Sequence, residues 1–360
     1  MKRLLSLLMV FALLGSTSAY AAGAPDGMTK IQGSLEAPIE CKSVYPDNPV
    51  IEGESPTTGL PASGEAFTPI LVTIDNSEDA HPHWGVGMAD VMFQIPNAGS
   101  GATKLLALFA DQYPEQAGGV RSARATMLPL AMAFDAAFAH AGGPSIENGN
   151  SNPFYLMKEW GMKSGKRTYD MLGKNYRERV NFIKAPHNLS CHVREIHEHL
   201  VDENVTFDMR PFRFTDEPRT DGIEVTSLML LHHGDDAANR ANNASTSTFE
   251  YHPELNAYIR SNVDGEYIDR DSAEAIPFAN VIVLRIKFSW IYKYVYLSNH
   301  LTGSGCIEIF QNGRYVQGAW MRKDLNSRLV LIGPDGEELA LQRGKTFIVV
   351  TNDVTEVFYQ

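Results

Sequence analysis

The fold is decided by a short run at residues 70–76, Ile70-Leu71-Val72-Thr73-Ile74-Asp75-Asn76. Its first five residues are apolar or β-branched, and such a run after Pro69 predicts a buried strand. The run ends abruptly in Asp75 and Asn76. The strand would therefore deliver a carboxylate and an amide to its carboxyl end, which is where α/β sheets gather ligands.

Strands and helices are predicted to alternate beyond this run. Apolar runs at 91–95 and 105–110 are typical of further strands. The helical spacing of apolar residues predicts one helix at 125–138 and another at 193–201, the second with Ser190 as its N-cap. Alternating strands and helices indicate a mixed α/β layer.

The second half of the chain reads instead as short strands joined by tight turns. The clearest unit is an Asn312-Gly313 turn between strands at 306–310 and 315–320, because Asn-Gly is a dipeptide that hairpin turns prefer. We therefore expect an α+β protein with an N-terminal mixed α/β domain followed by a mainly antiparallel β domain. The expected segments are a signal peptide at 1–21, a flexible linker at 22–66, the α/β domain at 67–210 and the β-rich domain at 220–360.

The amino terminus has the pattern of a signal peptide. Lys2 and Arg3 precede an apolar run at 4–14, and the small residues at 18–21 suit signal peptidase. The run is too short to span a bilayer, and Cys41 lies well past the cleavage site, outside any lipidation box. We expect a periplasmic or extracellular protein without stable membrane insertion after signal cleavage.

Composition narrows the classes of partner. A formal net charge of −12 disfavours binding to nucleic acid, which needs positive stripes on the protein. Hydrophobic residues make up 44% of the chain, which is ample for a folded core. Only one disulfide could form among the three cysteines, and the sequence does not choose between Cys41, Cys191 and Cys306.

Two arginines beside two glycines form the strongest candidate site. Arg121 and Arg124 follow Gly118 and Gly119, with Ser122 between the arginines. The guanidinium groups would hold a carboxylate or phosphate, and the glycines would let the ligand approach the backbone. The helix predicted to begin at 125 would favour the anion further through its dipole.

The alternative for the arginine pair is a structural ion pair. Its partner would be Asp90 or Asp111. The two readings differ in whether a ligand or the protein itself neutralises the guanidinium groups.

Polar residues in three other segments are also candidates. Asp75 and Asn76 are either a catalytic carboxylate with its orienting amide or an Asx-turn. His140 and the pair His187 and Asn188 lie in segments framed by Gly or Pro, where each histidine is either a general base or ligand contact, or is bonded to backbone groups. The predicted ligand-binding residues are Asp75, Asn76, Arg121, Ser122, Arg124, His140, His187 and Asn188. Of these, the set expected to line one cleft is Asp75, Asn76, Arg121, Arg124 and His140.

No metal site and no cofactor are predicted. His192, His197 and His199 lie at or on a predicted helix. Their spacing does not place them on one face of the helix, whereas the two histidines of a zinc peptidase share a face. No segment matches a motif whose chemistry can be read from its spacing. Ser122 lacks the Gly-x-Ser-x-Gly elbow of a hydrolase nucleophile.

Six motifs occur in an order that resembles a known family. They are Ile74-Asp75-Asn76, Ala89-Asp90, Leu106-Ala107-Leu108-Phe109, Gly119-Val120-Arg121-Ser122-Ala123-Arg124, His140-Ala141-Gly142-Gly143 and Ala185-Pro186-His187-Asn188. With Gly318-Ala319-Trp320 and Gly344-Lys345-Thr346 further on, the chain is similar to the YerB-like bacterial envelope family of unknown function (domain of unknown function 3048, N- and C-terminal domains). The resemblance implies an α/β domain and a β domain outside the cytoplasmic membrane, and it brings no established activity.

The chain departs from that family at positions that would matter for catalysis. Where the family typically has Tyr-Glu, then Glu-Gly-Gly and an Arg, this chain has Gln94, then Asn97 in a longer segment, and Lys104. Two carboxylates of the usual pattern are missing, and many relatives are lipoproteins.

Three functions are compatible with these residues. The first is an envelope protein that binds an anionic cell-wall or envelope component in a cleft of the N-terminal domain. The second is a hydrolase of such a polymer, with Asp75 as base or nucleophile and His140 or His187 as proton carrier. The third is a scaffold that contacts an envelope protein partner through the edge of the C-terminal β domain. Whether the protein is an enzyme is left open.

Overall fold

The computed structural model describes residues 27–42, 48–97, 102–144, 146–147, 149–232, 245–262, 265–291 and 294–360. The signal peptide predicted at 1–21 lies outside these residues. The protein is mostly β, with 40% strand and 11% helix.

The described helices are α1 (Leu128–Ala133), α2 (Pro153–Glu159) and α3 (Val193–Asp202). The described strands are β1 (Thr29–Ile31), β2 (Ile70–Asp75), β3 (Val91–Pro96), β4 (Thr103–Phe109), β5 (Ala117–Gly118), β6 (Ala137–His140), β7 (Thr168–Asp170), β8 (Arg177–Arg179), β9 (Leu189–Cys191), β10 (Arg213–Thr215), β11 (Ile223–Glu224), β12 (Ser227–His232), β13 (Ser245–His252), β14 (Ala257–Asn262), β15 (Gly265–Glu266), β16 (Ile268–Asp269), β17 (Glu274–Ala275), β18 (Pro277–Phe278), β19 (Asn280–Arg285), β20 (Phe288–Ile291), β21 (Tyr294–Leu297), β22 (Gly303–Gln311), β23 (Arg314–Arg322), β24 (Val330–Ile332), β25 (Ala340–Gln342), β26 (Thr346–Thr351) and β27 (Glu356–Tyr359).

The expected α+β class with a mixed α/β N-terminal domain is wrong. Strands β2 and β3 each pair antiparallel with β4, so this part of the sheet is not the parallel layer that alternating strands and helices would form. The segment at 125–138 forms only the short helix α1, because Asp135 adopts a left-handed backbone with φ 50° that ends it before β6 begins. The helices that remain are too few and too short to form the expected layer.

The helix predicted at 193–201 is confirmed as α3, but its start is not the expected one. Ser190 lies within β9 and is buried, and His192 occupies the N-cap position without a side-chain cap. Val193, Ile196 and Leu200 form the buried stripe that the spacing indicates.

A single eleven-stranded sheet runs through both halves of the chain. Its order is β11-β23-β22-β19-β26-β3-β4-β2-β6-β7, with β24 on β23. β26 lies between β19 of the second half and β3 of the first and is parallel to both. All six residues of β26 are buried. The two halves are therefore joined by backbone hydrogen bonds within one sheet.

The central sheet is covered on both faces. A smaller sheet, in the order β1-β27-β12-β13-β14-β15 with β18 on β14, packs on one face. There Phe249 of β13 contacts Phe347 of β26, with ring centroids 5.1 Å apart. α1 and α2 cover the other face, where Leu128 and Leu156 join the same apolar cluster as Leu106.

Part of the stretch expected to be a flexible linker is packed against the fold. β1 pairs with β27, and Thr57 is buried and donates its hydroxyl to Asp90 Oδ2 at 2.9 Å. Cys41, Cys191 and Cys306 are unbridged. None of the described helices is long and apolar enough to cross a membrane.

A buried ion pair holds the carboxyl-terminal segment to the sheet. Arg285 of β19 and Glu308 of β22 are fully buried, with Nε and Oε1 2.9 Å apart. Arg285 Nη1 also donates to the carbonyls of Asn352 and Thr355. Burial raises the pKa of Glu308, although the charge of Arg285 opposes that shift.

We expect Glu308→Gln to destabilise the protein by about 3 kcal/mol, because it leaves a buried guanidinium without its counter-charge. The free energy of unfolding in urea measures this loss. Glu224→Gln is the matched control, since Glu224 pairs with Arg314 but has a side chain 81% exposed, and it should change stability by less than about 1 kcal/mol. Equal effects of the two substitutions would contradict the structural role of the buried pair.

Candidate functional site

A carboxylate at the end of β2 gathers residues from distant parts of the chain. Asp75 Oδ2 accepts hydrogen bonds from Arg121 Nε at 2.5 Å and from His187 Nδ1 at 2.8 Å. The side chain of Asp75 is 7% exposed, that of His187 13% and that of Arg121 30%. Three residues that the sequence singled out therefore meet in one place.

Arg121 is positioned by a short extension of the central sheet. The backbone of Gly119 accepts from Asp75 N at 2.9 Å, and Arg121 N donates to Thr73 O at 3.2 Å. On its other side the segment binds Ala141, whose N donates to Arg121 O at 2.8 Å. Arg121 thus lies between β2 and the end of β6, which fixes its side chain beside Asp75.

Gly119 lets the loop that carries His187 approach this segment. A Cβ atom at Gly119 would lie 2.0 Å from the His187 carbonyl oxygen. The loop continues into β9, where Leu189 O accepts from Val120 N at 2.7 Å. The absence of a side chain at 119 is therefore what brings His187 within reach of Asp75.

Two further cations surround the carboxylate. Lys104 stands directly opposite Asp75 in the β2 and β4 pairing and is 7% exposed. Burial lowers the pKa of Lys104 to about 8, with Asp75 acting against this shift and Arg124 and Arg121 adding to it. We call Asp75, Lys104, Arg121, Arg124 and His187 the Asp75 cluster.

The electrostatics of the cluster keep its carboxylate ionised. Burial alone would raise the pKa of Asp75, but Lys104, the hydrogen bond from His187 and the charge of Arg121 together hold it below its usual value. Lys104 and Arg121 thus act on the same carboxylate, within an acidic protein.

Arg124 bonds two neighbouring oxygen atoms. Its Nε donates to Asn97 Oδ1 at 3.0 Å and its Nη1 to Ala123 O at 2.8 Å. Ser122 lies between the two arginines and is partly exposed.

Asp75 also forms the turn that the sequence offered as an alternative. Its Oδ1 accepts from Ser77 N at 3.3 Å, as in an Asx-turn. The turn and the contacts to Arg121 and His187 use different carboxylate oxygens, so one interpretation does not exclude the other.

His140 bonds a backbone carbonyl and not Asp75. It is 2% exposed, its Nδ1 donates to Gly142 O at 3.0 Å, and its ring stacks on Phe138. Burial lowers the pKa of His140, which favours the neutral ring. These contacts are those of a histidine bonded to the backbone.

Two amides among the candidate residues also have partners of their own. Asn188 joins a turn, since its Oδ1 accepts from Arg179 and its Nδ2 donates to Val180 O. Asn76 Nδ2 donates to Thr103 Oγ1 at 2.7 Å, on the opposite face of the sheet from Asp75.

Asp90, one of the two partners expected for a structural ion pair of the arginines, has another role. Asp90 accepts from Thr57 Oγ1 and from Ala110 N, and burial raises its pKa to about 6.

Lys104 is a residue of the cluster that the sequence did not indicate. Only the register between β2 and β4 places it opposite Asp75, and a sequence pattern does not show that register.

A cavity of about 570 Å³ lies elsewhere. Its lining includes Met88, Asp269 and Lys345 but no member of the Asp75 cluster. Within the described ranges no three metal-binding side chains converge.

Gly119→Ala should destabilise the protein by about 2 kcal/mol and displace His187, because the added methyl group overlaps the His187 carbonyl. Chemical denaturation measures the first effect, and the NMR shifts of the His187 ring report the second. Gly165→Ala is the control, since its Cβ would lie at least 3.5 Å from its neighbours on the exposed surface, and it should change stability by less than about 0.5 kcal/mol. A Gly119→Ala protein as stable as wild type would show that the loop is not held by this approach.

Known proteins share both halves of this fold. Residues 57–206 match the family described as "Protein of unknown function (DUF3048) N-terminal domain", and residues 237–348 match its C-terminal domain. The chain is 25% identical to the protein named "Putative lipoprotein YerB" of Bacillus subtilis (strain 168), over 84% of this chain and 87% of that protein. The crystal structure of the YerB protein from Bacillus subtilis has the same fold, with a TM-score of 0.69, 22% identity, and coverage of 84% of this chain and 99% of that one.

Proposed function

The chain belongs to the DUF3048 family, whose function is unknown, and we propose that it is an exported protein that binds an anionic cell-wall or envelope component at the Asp75 cluster. The observation that carries this proposal is that two cations, Lys104 and Arg121, act on the single carboxylate of Asp75. An anion at this place would complete the neutralisation.

Export rests on the amino terminus and on a relative. Lys2, Arg3 and the apolar run at 4–14 have the pattern of a signal peptide. A Bacillus subtilis relative bears the name "Putative lipoprotein YerB". We accordingly place the protein in the periplasm or outside the cell, associated with the envelope through what it binds.

Arg121 is the residue best placed to contact a ligand. It bonds Asp75 through Nε, which leaves the two terminal nitrogens of its guanidinium for a second partner. Its side chain is the most exposed of the three that meet at Asp75. A carboxylate or phosphate fits these planar donors better than it fits an ammonium group.

The amides at two positions favour binding over catalysis. Asn97 accepts from Arg124, and Gln94 is buried on the other face of the sheet, bonded to Thr103. An amide cannot exchange protons near neutral pH, so neither residue supplies an acid or a base.

Arg121→Lys should weaken binding about tenfold, and the double change Arg121→Ala, Arg124→Ala about a hundredfold or more, because each lost charge-assisted bond contributes about 1.5–3 kcal/mol. Titration calorimetry with inorganic phosphate and with solubilised cell-wall fragments measures the affinity. Arg213→Ala serves as the control, since Arg213 is exposed on β10 and outside the cluster. Equal affinity of wild type and the double variant would end the proposal.

A hydrolase is the second candidate because Asp75 bonds His187. A carboxylate that binds one imidazole nitrogen orients the ring and stabilises its protonated form, which leaves the other nitrogen to accept a proton from water. In this arrangement His187 is the base. Asp75 itself is a poor one, because its pKa is lowered and its oxygens are already bonded.

Incubation of the mature protein with isolated cell wall should give co-sedimentation without release of fragments, as followed by mass spectrometry. The reason is that Gln94 and Asn97 are amides, which supply neither an acid nor a base near neutral pH. Fragment release that is lost in Asp75→Asn and in His187→Gln would favour the hydrolase instead. Co-sedimentation that survives the double arginine change would favour the scaffold, with contacts through the β-rich half.

A further inference from the structure

A second polar cluster lies on the opposite face of the central sheet from Asp75. Asn76, Gln94 and Thr103 reach it from the central sheet, and Ser247 and Arg260 reach it from β13 and β14 of the smaller sheet. We call these five residues the Arg260 cluster. Four of them are at most 7% exposed, and Asn76 is partly buried.

A chain of hydrogen bonds links the two sheets through this cluster. Thr103 Oγ1 accepts from Asn76 Nδ2 at 2.7 Å and from Gln94 Nε2 at 3.0 Å. Ser247 Oγ donates to Gln94 Oε1 at 3.1 Å and accepts from Arg260 Nη2 at 3.3 Å. One of the three guanidinium nitrogens, Nη2, therefore bonds a neutral hydroxyl group.

The other two nitrogens of Arg260 have no hydrogen-bond partner among the residues that the structure describes. The residue is 1% exposed, and Nε and Nη1 are buried without an acceptor. The rings of Tyr267 and Phe347 flank the guanidinium, with centroids 4.9 and 5.5 Å from Cζ. Among the described carboxylates none pairs with Arg260, whereas Arg285, equally buried, pairs with Glu308.

The charge on Arg260 persists despite its burial. Burial lowers its pKa to about 10, which still leaves it protonated at neutral pH. His83, whose Nδ1 lies 2.9 Å from the Tyr267 hydroxyl, does not add a second charge, because burial holds its pKa well below the usual value. The cluster thus carries one uncompensated positive charge.

We propose that the Arg260 cluster binds a monovalent anion, the carboxylate group of a small organic acid. A buried cation without a counter-ion is strongly unfavourable, and carboxylate oxygens would satisfy the N–H groups that now have no acceptor. Asn76 Oδ1, also buried without a partner, lies in the same cluster.

A surface cleft with an acidic lining adjoins the cluster at Tyr267, whose ring contacts Arg260. It has a volume of about 310 Å³, and Tyr267 and Asn262 form part of its lining. Glu78, Asp79 and Glu266 line it as well. Acidic side chains there repel a divalent anion more strongly than a monovalent one.

The test compares thermal unfolding of protein dialysed into a sulfonate buffer at neutral pH, with added sodium acetate or sodium chloride at equal ionic strength. The unfolding midpoint should rise with the logarithm of the acetate concentration and less with chloride, since a ligand bound to the folded state stabilises it by mass action. An equal response to both salts, or no response, would overturn the assignment.

Gln94→Glu provides the sharpest variant. It places a carboxylate where Gln94 now accepts from Ser247, which in turn accepts from Arg260, so it should raise the midpoint without acetate and weaken the acetate response at least tenfold. Arg213→Ala, a change at an exposed residue outside both clusters, should keep the full response. The part of the response that Gln94→Glu loses should persist in Arg121→Ala, which separates this cluster from the Asp75 cluster. If Gln94→Glu does not fold, Arg260→Met must lose that part of the acetate response. A response that is unchanged in Gln94→Glu or Arg260→Met, or lost in Arg213→Ala, would refute the proposal.

Discussion

The insertion of β26 between β19 and β3 is the constraint on which the rest of the structure depends. Six consecutive residues, Thr346–Thr351, pair in parallel with a strand from each half of the chain. Each of their side chains is buried, so the strand needs apolar cover on both faces. That cover comes from the helices on one side and the smaller sheet on the other, which makes the two halves mutually dependent.

The same sheet gives the protein two polar clusters at one end of neighbouring strands. Side chains alternate between the faces of a strand, so adjacent positions on β2 and β4 point to opposite sides. Asp75 and Lys104 face Arg121, whereas Asn76 and Thr103 face Gln94 and the smaller sheet. One cluster is partly open to solvent and rich in cations, and the other is enclosed and holds a single unpaired cation.

Much of the strand content follows from local pattern. The runs predicted at 91–95 and 105–110 correspond to β3 and β4, and the turn at Asn312-Gly313 joins β22 and β23 as expected. The prediction of a mixed α/β layer was wrong, because alternation of strands and helices along the sequence does not reveal how the strands are paired. Antiparallel neighbours need only a turn, and α1 ends early where Asp135 turns left-handed.

The sequence by itself determined that Asp75 ends a buried strand and that Arg121 follows two glycines. Both follow from short-range chemistry, since apolar runs must be covered and glycines admit close backbone contacts. The tertiary structure alone decided that these residues meet each other and His187, that Lys104 stands opposite Asp75, and that His140 binds elsewhere. It alone also left Arg260 without a counter-charge in the described part of the chain. Strand register and the pairing of distant strands depend on which buried surfaces fit together, and no local pattern encodes that fit.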